Sequence, residues 1–139
     1  MMLQSLKERA MLEGILSVLG GALVLASRLN RDFQEDLRQR DGIAEIRTED
    51  RSVARRYYIS HGRIRIARGP HPSPDFAMLY KDVPTALEIL KQGTEDASMK
   101  AIAEGKMLFD GDMAFGMWFM ELLKKVGGLM KEPKKFVSL

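Results

Sequence analysis

Hydrophobic positions recur with a helical period over the first forty residues. Leu12, Leu16, Leu19, Leu23 and Ala26 fall on one face, with Met11, Ile15, Val18, Ala22, Leu25 and Leu29 beside them. Steps of three and four are the spacing of an amphipathic helix. Ala10, Gly14, Ser17 and Gly21 form a ridge of small residues, along which another backbone can approach closely. Gly20-Gly21 predicts a break or bend. Leu25, Leu29, Phe33 and Leu37 then carry a second helical stripe to a stop at Asp41-Gly42. From Ile43 the period shortens. Ile43 to Thr48 is a predicted strand, and Ser52 to Ser60 and Arg63 to Arg68 read as two arms of a hairpin about His61-Gly62. Ile64 and Ile66 alternate with Arg63 and Arg65, so one face of that arm is buried and one is wet. Gly69 to Pro74, with three prolines, is a surface loop. In the next strand Phe76, Met78 and Tyr80 share one face and Ala77 and Leu79 the other. Val83 to Gln92, with Pro84 tolerated in its first turn, and Glu95 to Ala103, capped by Thr94, are predicted helices.

The C-terminal part departs from ordinary amphipathic patterning. Lys106 to Phe109 is a short strand that stops at Asp110-Gly111, and Asp112 stands where a helix N-cap is wanted. In the helix that follows, Phe115, Phe119, Leu122, Leu123 and Val126 form one stripe, while Met113, Met117 and Met120 form a second. A surface helix has one apolar stripe, so this one is expected to be covered on two sides. The core supplies one cover; a bound apolar molecule, a membrane or a second chain would supply the other. On this ground the candidate lipid-binding residues are Phe76, Met78, Met107, Phe109, Met113, Met117 and Met120, which would line an apolar pocket between the last helix and the sheet.

The ordered series Asp75 to Leu79, Asp82 to Gly93, Thr94 to Gly105 and then Gly105-Lys106-Met107-Leu108-Phe109-Asp110-Gly111-Asp112 with its apolar helix resembles the sterol carrier protein type 2 family of non-specific lipid carriers. The resemblance runs over roughly Ile43 to Val126. It implies an α/β (α+β) domain: a curved, mainly antiparallel sheet of about five strands, covered by helices around an apolar tunnel. It also implies an apolar ligand such as a fatty acid, an acyl-CoA or a sterol-like lipid. The expected organisation is a single domain over 1–130, in which 1–40 is an N-terminal helical segment and 43–126 the sheet and helices. A loose basic tail over 131–139 would follow.

Composition narrows the chemistry. The 139 residues suit one domain. There is no Cys, which excludes disulfide and thiolate chemistry. Ten Met residues are many for this length, and Met suits surfaces that fit several shapes. The net charge is only +3, but Arg47, Arg51, Arg55, Arg56, Arg63, Arg65 and Arg68 gather on the predicted hairpin region, and Lys124, Lys125, Lys131, Lys134 and Lys135 near the end. Such groups suit contact with an anionic membrane. Tyr57 and Tyr58 among the arginines leave a nucleic-acid binder as the less favoured alternative, and a homodimer through the last helix as another. His61 and His71 lack carboxylates at ligand spacing, so no metal site is expected. Gly105 and Gly111 are too far apart for a phosphate loop. No catalytic residue or cofactor is expected, and the reading is of a carrier without turnover. The run Ile15 to Ala26 behind Lys7 and Arg9 superficially suggests a signal peptide, but Glu8 and Glu13 interrupt its start and the helical pattern continues beyond it. It is also shorter than the ~20 residues that span a bilayer. The C-terminal Val137-Ser138-Leu139 lacks the Lys of the peroxisomal Ser-Lys-Leu signal, and a cytoplasmic location is expected.

Overall fold

A computed structural model describes residues 2–137; the C-terminal Ser138-Leu139 discussed above lies outside them. Helix α1 (Met2–Leu29) and α2 (Arg31–Leu37) precede strands β1 (Gly42–Thr48), β2 (Ala54–Ser60), β3 (Arg63–Arg68) and β4 (Phe76–Tyr80). Helices α3 (Val83–Gln92) and α4 (Glu95–Ala103), strand β5 (Met107–Gly111) and helix α5 (Met113–Lys131) follow, then a short 3-10 turn, Pro133–Phe136. The strands form one mixed sheet in the order β3-β2-β1-β4-β5. Only β1 and β4 run parallel; the other three pairings are antiparallel. The α+β architecture expected from the sequence is present.

The register sorts the side chains. Ala44 pairs with Tyr57 and with Phe76, Ile46 with Met78, Tyr57 with Ile66, and Met78 with Phe109. Because side chains alternate along a strand, these residues share one face. That inner face is where α1, α3 and α5 bury Leu16, Leu23, Leu87, Phe115, Phe119 and Val126. The β2–β3 hairpin turns through His61 at φ 53° and Gly62 at φ 76°. Two consecutive positive φ values match the twist of the flanking strands.

Two expectations change. The helix does not break at Gly20-Gly21; α1 continues to Leu29. Gly20 is buried and faces Ile66 of β3, where a Cβ would lie 3.3 Å from that side chain, so its small size serves packing. The break falls instead at Asn30, whose extended backbone and side-chain oxygen cap α2 by accepting from Phe33 N at 2.9 Å. The tail is not loose throughout. Phe136 is buried, and the Asn30 amide donates to the Lys135 carbonyl at 3.0 Å, which ties the 3-10 turn to the α1–α2 break.

Candidate functional site

The inner face of the sheet is covered unevenly. Helix α5 lies directly on it. Its cap, Asp112, accepts from Phe115 N at 3.1 Å, and Gly116 is set against the Phe76 ring, where any Cβ would overlap the ring. Phe115, Phe119, Leu122 and Val126 are all buried there, and the Phe119 ring lies 5.3 Å from that of Tyr57.

Helix α1 stands off. Between it and the sheet is a cavity of ≈ 60 Å³. Leu12, Ile15, Leu16 and Leu19 of α1 form its roof. Ile46, Met78 and Tyr80 of the sheet, Val53 of the β1–β2 loop, Leu90 of α3 and Leu123 of α5 form the remaining apolar wall, with Arg47 and Thr48. The polar groups of the last two are engaged elsewhere. The Thr48 hydroxyl donates to Asp50 Oδ1 at 2.7 Å, and Arg47 Nε donates to Glu45 Oε1 at 2.7 Å. Burial pushes the Tyr80 hydroxyl up to about 12, so the phenol in this wall stays neutral. Tyr57, also on the inner face, is buried with its hydroxyl unpartnered among the described residues, and burial raises its pKa further.

The roof is tethered by charge. Arg55 projects from β2 toward α1 rather than into solvent and is only 4% exposed. Its Nη2 donates to Glu13 Oε2 at 2.7 Å. That hydrogen bond is the main reason the Glu13 carboxyl titrates below its ordinary value, followed against it by partial burial and then by the Arg55, Arg68 and Arg9 charges, which lower it. Arg9 Nη2 also donates to the Ser52 carbonyl at 3.0 Å.

The seven side chains singled out in the sequence scatter around this arrangement. Met78 lines the cavity. Phe76 and Met107 are buried in the core. Phe109, with its ring 5.6 Å from Phe76, and Met120 are half-buried against it. Met113 and Met117 are on the surface, 45% and 63% exposed. Met117 and Trp118 border an open groove of ≈ 400 Å³ otherwise lined largely by Asp36, Gln39, Glu121 and Lys125. The second stripe of α5 is thus an outer edge and not the wall of an enclosed space. The roof residues of α1 escaped the sequence reading because a leucine facing a cavity and one facing a filled core carry the same periodic signal.

The outer face of the sheet is polar and largely self-satisfied. Glu45, 2% exposed, accepts from Arg47 and from the His71 backbone N–H at 2.6 Å. Arg65 stacks over the Tyr58 ring with its guanidinium carbon 4.2 Å from the centroid, His71 meets the same ring edge-on, and Arg56 Nε donates to the Tyr58 hydroxyl at 2.9 Å. Of the arginine series, Arg51, Arg63, Arg65 and Arg68 are exposed, whereas Arg55 is buried and Arg47 and Arg56 are engaged. Among the described residues, no group of three or more His, Asp or Glu is placed to hold a metal ion.

No protein-family model matches the chain, and no curated protein matches its sequence. Solved structures do match. A UbiJ-SCP2 ubiquinone synthesis protein superposes with a TM-score of 0.56 at 15% identity, over 82% of this chain and 88% of that one. The sterol carrier protein domain 2 of Helicoverpa armigera gives 0.57 at 14% identity, over the same shares of 82% and 88%. Sterol carrier protein 2 from Yarrowia lipolytica gives 0.54 at 9% identity, over 76% of this chain and 87% of that one. The chain has the fold of the sterol carrier protein 2 domains, the fold implied by the resemblance around Gly105 to Asp112.

Proposed function

We propose that this protein binds and carries an apolar molecule, fatty-acyl or sterol-like, between α1 and the inner face of the sheet, without catalysing a reaction. The observation that carries the reading is the cavity under Leu12, Ile15, Leu16 and Leu19, in a chain whose structural neighbours are named as sterol carriers. Its wall offers methyl, methylene and aromatic carbon, while the polar groups of Arg47 and Thr48 are already hydrogen-bonded. Each methylene moved from water into such a wall contributes about 0.8 kcal/mol.

At ≈ 60 Å³ the space is well below the ~300–1,000 Å³ of a typical small-molecule site. Cargo therefore enters by lifting α1, which is the roof, against the Arg55–Glu13 tether. Arg63, Arg65 and Arg68 stand exposed along the edge strand beside α1, and in this reading they hold the protein on an anionic bilayer while cargo exchanges, each contributing on the order of 1 kcal/mol near the surface. The nucleic-acid alternative loses ground. Tyr58, the aromatic among the exposed arginines, is occupied by Arg65, His71 and Arg56.

The test is lipid extraction and native mass spectrometry of the purified chain, followed by titration with a fluorescent fatty-acid probe. Leu16→Phe fills the cavity from a residue that is 3% exposed. It should weaken probe binding by about tenfold or more while the protein remains folded. A wild-type chain that carries no lipid and does not bind the probe would overturn the proposal.

A further inference from the structure

Arg55 is the one buried cation among the described residues, and it stands on the inner, apolar face of the sheet. Its register partner is Ile46, which lies opposite Met78, and both of these line the cavity. Arg55 Nη1 donates to the Ala54 carbonyl at 3.0 Å. Nη2 meets only α1: Glu13 Oε2 at 2.7 Å, with the Glu13 carbonyl and Ser17 Oγ each at 3.4 Å. Half-buried Glu13 stands between Leu12 and Leu16 of the roof, and Arg68 Nη2 is 3.9 Å from the same carboxylate oxygen. The ion pair therefore sits beside the cavity, on the side that water reaches.

Stability does not account for these polar groups. A buried ion pair adds little net stability, because desolvating the charges offsets their attraction. Two residues further along the same strand face is Tyr57, fully buried, whose hydroxyl has no partner among the described residues. Leaving a buried donor unmet is a cost. The Arg55 charge and the hydroxyl of Tyr80, a residue of the cavity wall, both lie near enough to bear on the titration of Tyr57. A guanidinium and an idle phenol thus stand together beside an apolar space. The carboxylate that meets the guanidinium comes from the helix that must lift for cargo to enter.

We infer that Arg55 and Tyr57 form the headgroup site for a cargo that ends in a carboxylate, and that Glu13 fills this site as a stand-in while the roof is down. The inference rests on the carrier reading and narrows its cargo to long-chain carboxylic acids. A carboxylate has room for about four hydrogen bonds. It accepts from Arg55 Nη2 in place of Glu13 and from the Tyr57 hydroxyl, and its chain runs into the cavity. The guanidinium fork suits the exchange, since Nη1 stays on Ala54 while Nη2 changes partner. One carboxylate replaces another, so Arg55 is never left unpaired while Glu13 turns to water and α1 lifts. An uncharged sterol or ester breaks the same ion pair and puts no charge in its place, which is costly for a buried cation.

Calorimetric titration with dodecanoic acid and with its methyl ester tests this, because the two probes share a chain and differ in charge. Wild type should bind the acid at least about tenfold more tightly than the ester. Arg55→Met should bring that ratio close to one, a change that loosening of the roof alone does not produce, since it acts on both probes. Glu13→Gln, which removes the competing charge, should widen the ratio. Tyr57→Phe removes only the unpartnered hydroxyl, so it should melt no lower than wild type while its affinity for the acid falls several-fold; it decides the matter even if Arg55→Met does not fold. Equal binding of acid and ester by wild type, a ratio that survives Arg55→Met, or an acid affinity untouched by Tyr57→Phe would each overturn the inference and leave the carrier reading standing. A chain that binds neither probe overturns both.

Discussion

Helices α1 and α5 cover the same face of the same sheet, yet they do so differently. In α5 a glycine lets the helix settle onto the Phe76 ring, and four large apolar side chains fill the contact. In α1 the side chains lining the gap are leucines and an isoleucine, and an ion pair from buried Arg55 to half-buried Glu13 ties the helix to the sheet. The helix singled out in the sequence for its second apolar stripe is the closely packed one. The other holds the cavity. Apolar breadth on a helix therefore reports how much surface wants cover, whereas free space depends on how closely the backbone can approach what lies beneath.

The largest effect should come from breaking the packed side. Phe119 is fully buried against Tyr57, and Phe119→Ala should lower stability by about 3–5 kcal/mol, as large core truncations do. Denaturant unfolding measures it. A loss below about 1 kcal/mol would mean that α5 is not seated on the sheet as described.

That contrast marks what the sequence could and could not disclose. Strand and helix positions followed from periodicity with little error because alternation and steps of three and four are imposed locally. Thr94 and Asp112 were legible as caps for the same reason, and each accepts from the backbone N–H three residues on; Asp82, which caps α3 in the same way, was not read as one. The break expected at Gly20-Gly21 was misplaced because a glycine pair marks either a hinge or a close contact, and only the presence of Ile66 beneath Gly20 decides between them. Arg55 was grouped with the surface arginines because its partner, Glu13, lies forty-two residues away. The cavity was invisible for a related reason: it is a distance between elements, and no residue type encodes it.

A smaller effect should follow from loosening the tethered side. Arg55→Met removes the buried guanidinium and leaves Glu13, itself 24% exposed, without its main partner. The expected cost is about 1–3 kcal/mol, smaller than for Phe119→Ala because Glu13 can turn toward water. The substitution should also raise hydrogen exchange in α1 more than in α5. Its pH dependence identifies the cause. Glu13 is held below its ordinary value of 4.5 first by the Arg55 hydrogen bond. A depressed carboxyl contributes stability that is present above the unfolded value and lost as pH falls through the folded one. The gap in stability between wild type and Arg55→Met should therefore be constant from neutral pH to about 5 and close as the solution is acidified below 4.5. A gap that does not change with pH would assign the loss to packing alone.

The smallest effect is expected where the sequence pointed most strongly. Met117 belongs to the second stripe of α5, and a charge there would be ruinous if the stripe faced cargo. In the structure it is 63% exposed at the rim of a polar groove. Met117→Arg places a solvated cation in a groove that already holds Asp36, Glu121 and Lys125, with no buried charge to compensate and no cavity to fill. Surface substitutions of this kind usually change stability by no more than about 0.5 kcal/mol, and probe binding should match wild type. Set beside Leu16→Phe, which acts from α1, the pair decides which helix faces the ligand. Should Met117→Arg abolish binding while Leu16→Phe leaves it intact, cargo lies along the outer edge of α5, and the contrast between the two helices is reversed: the packed one would carry the site on its back, and the space beneath α1 would be a packing gap.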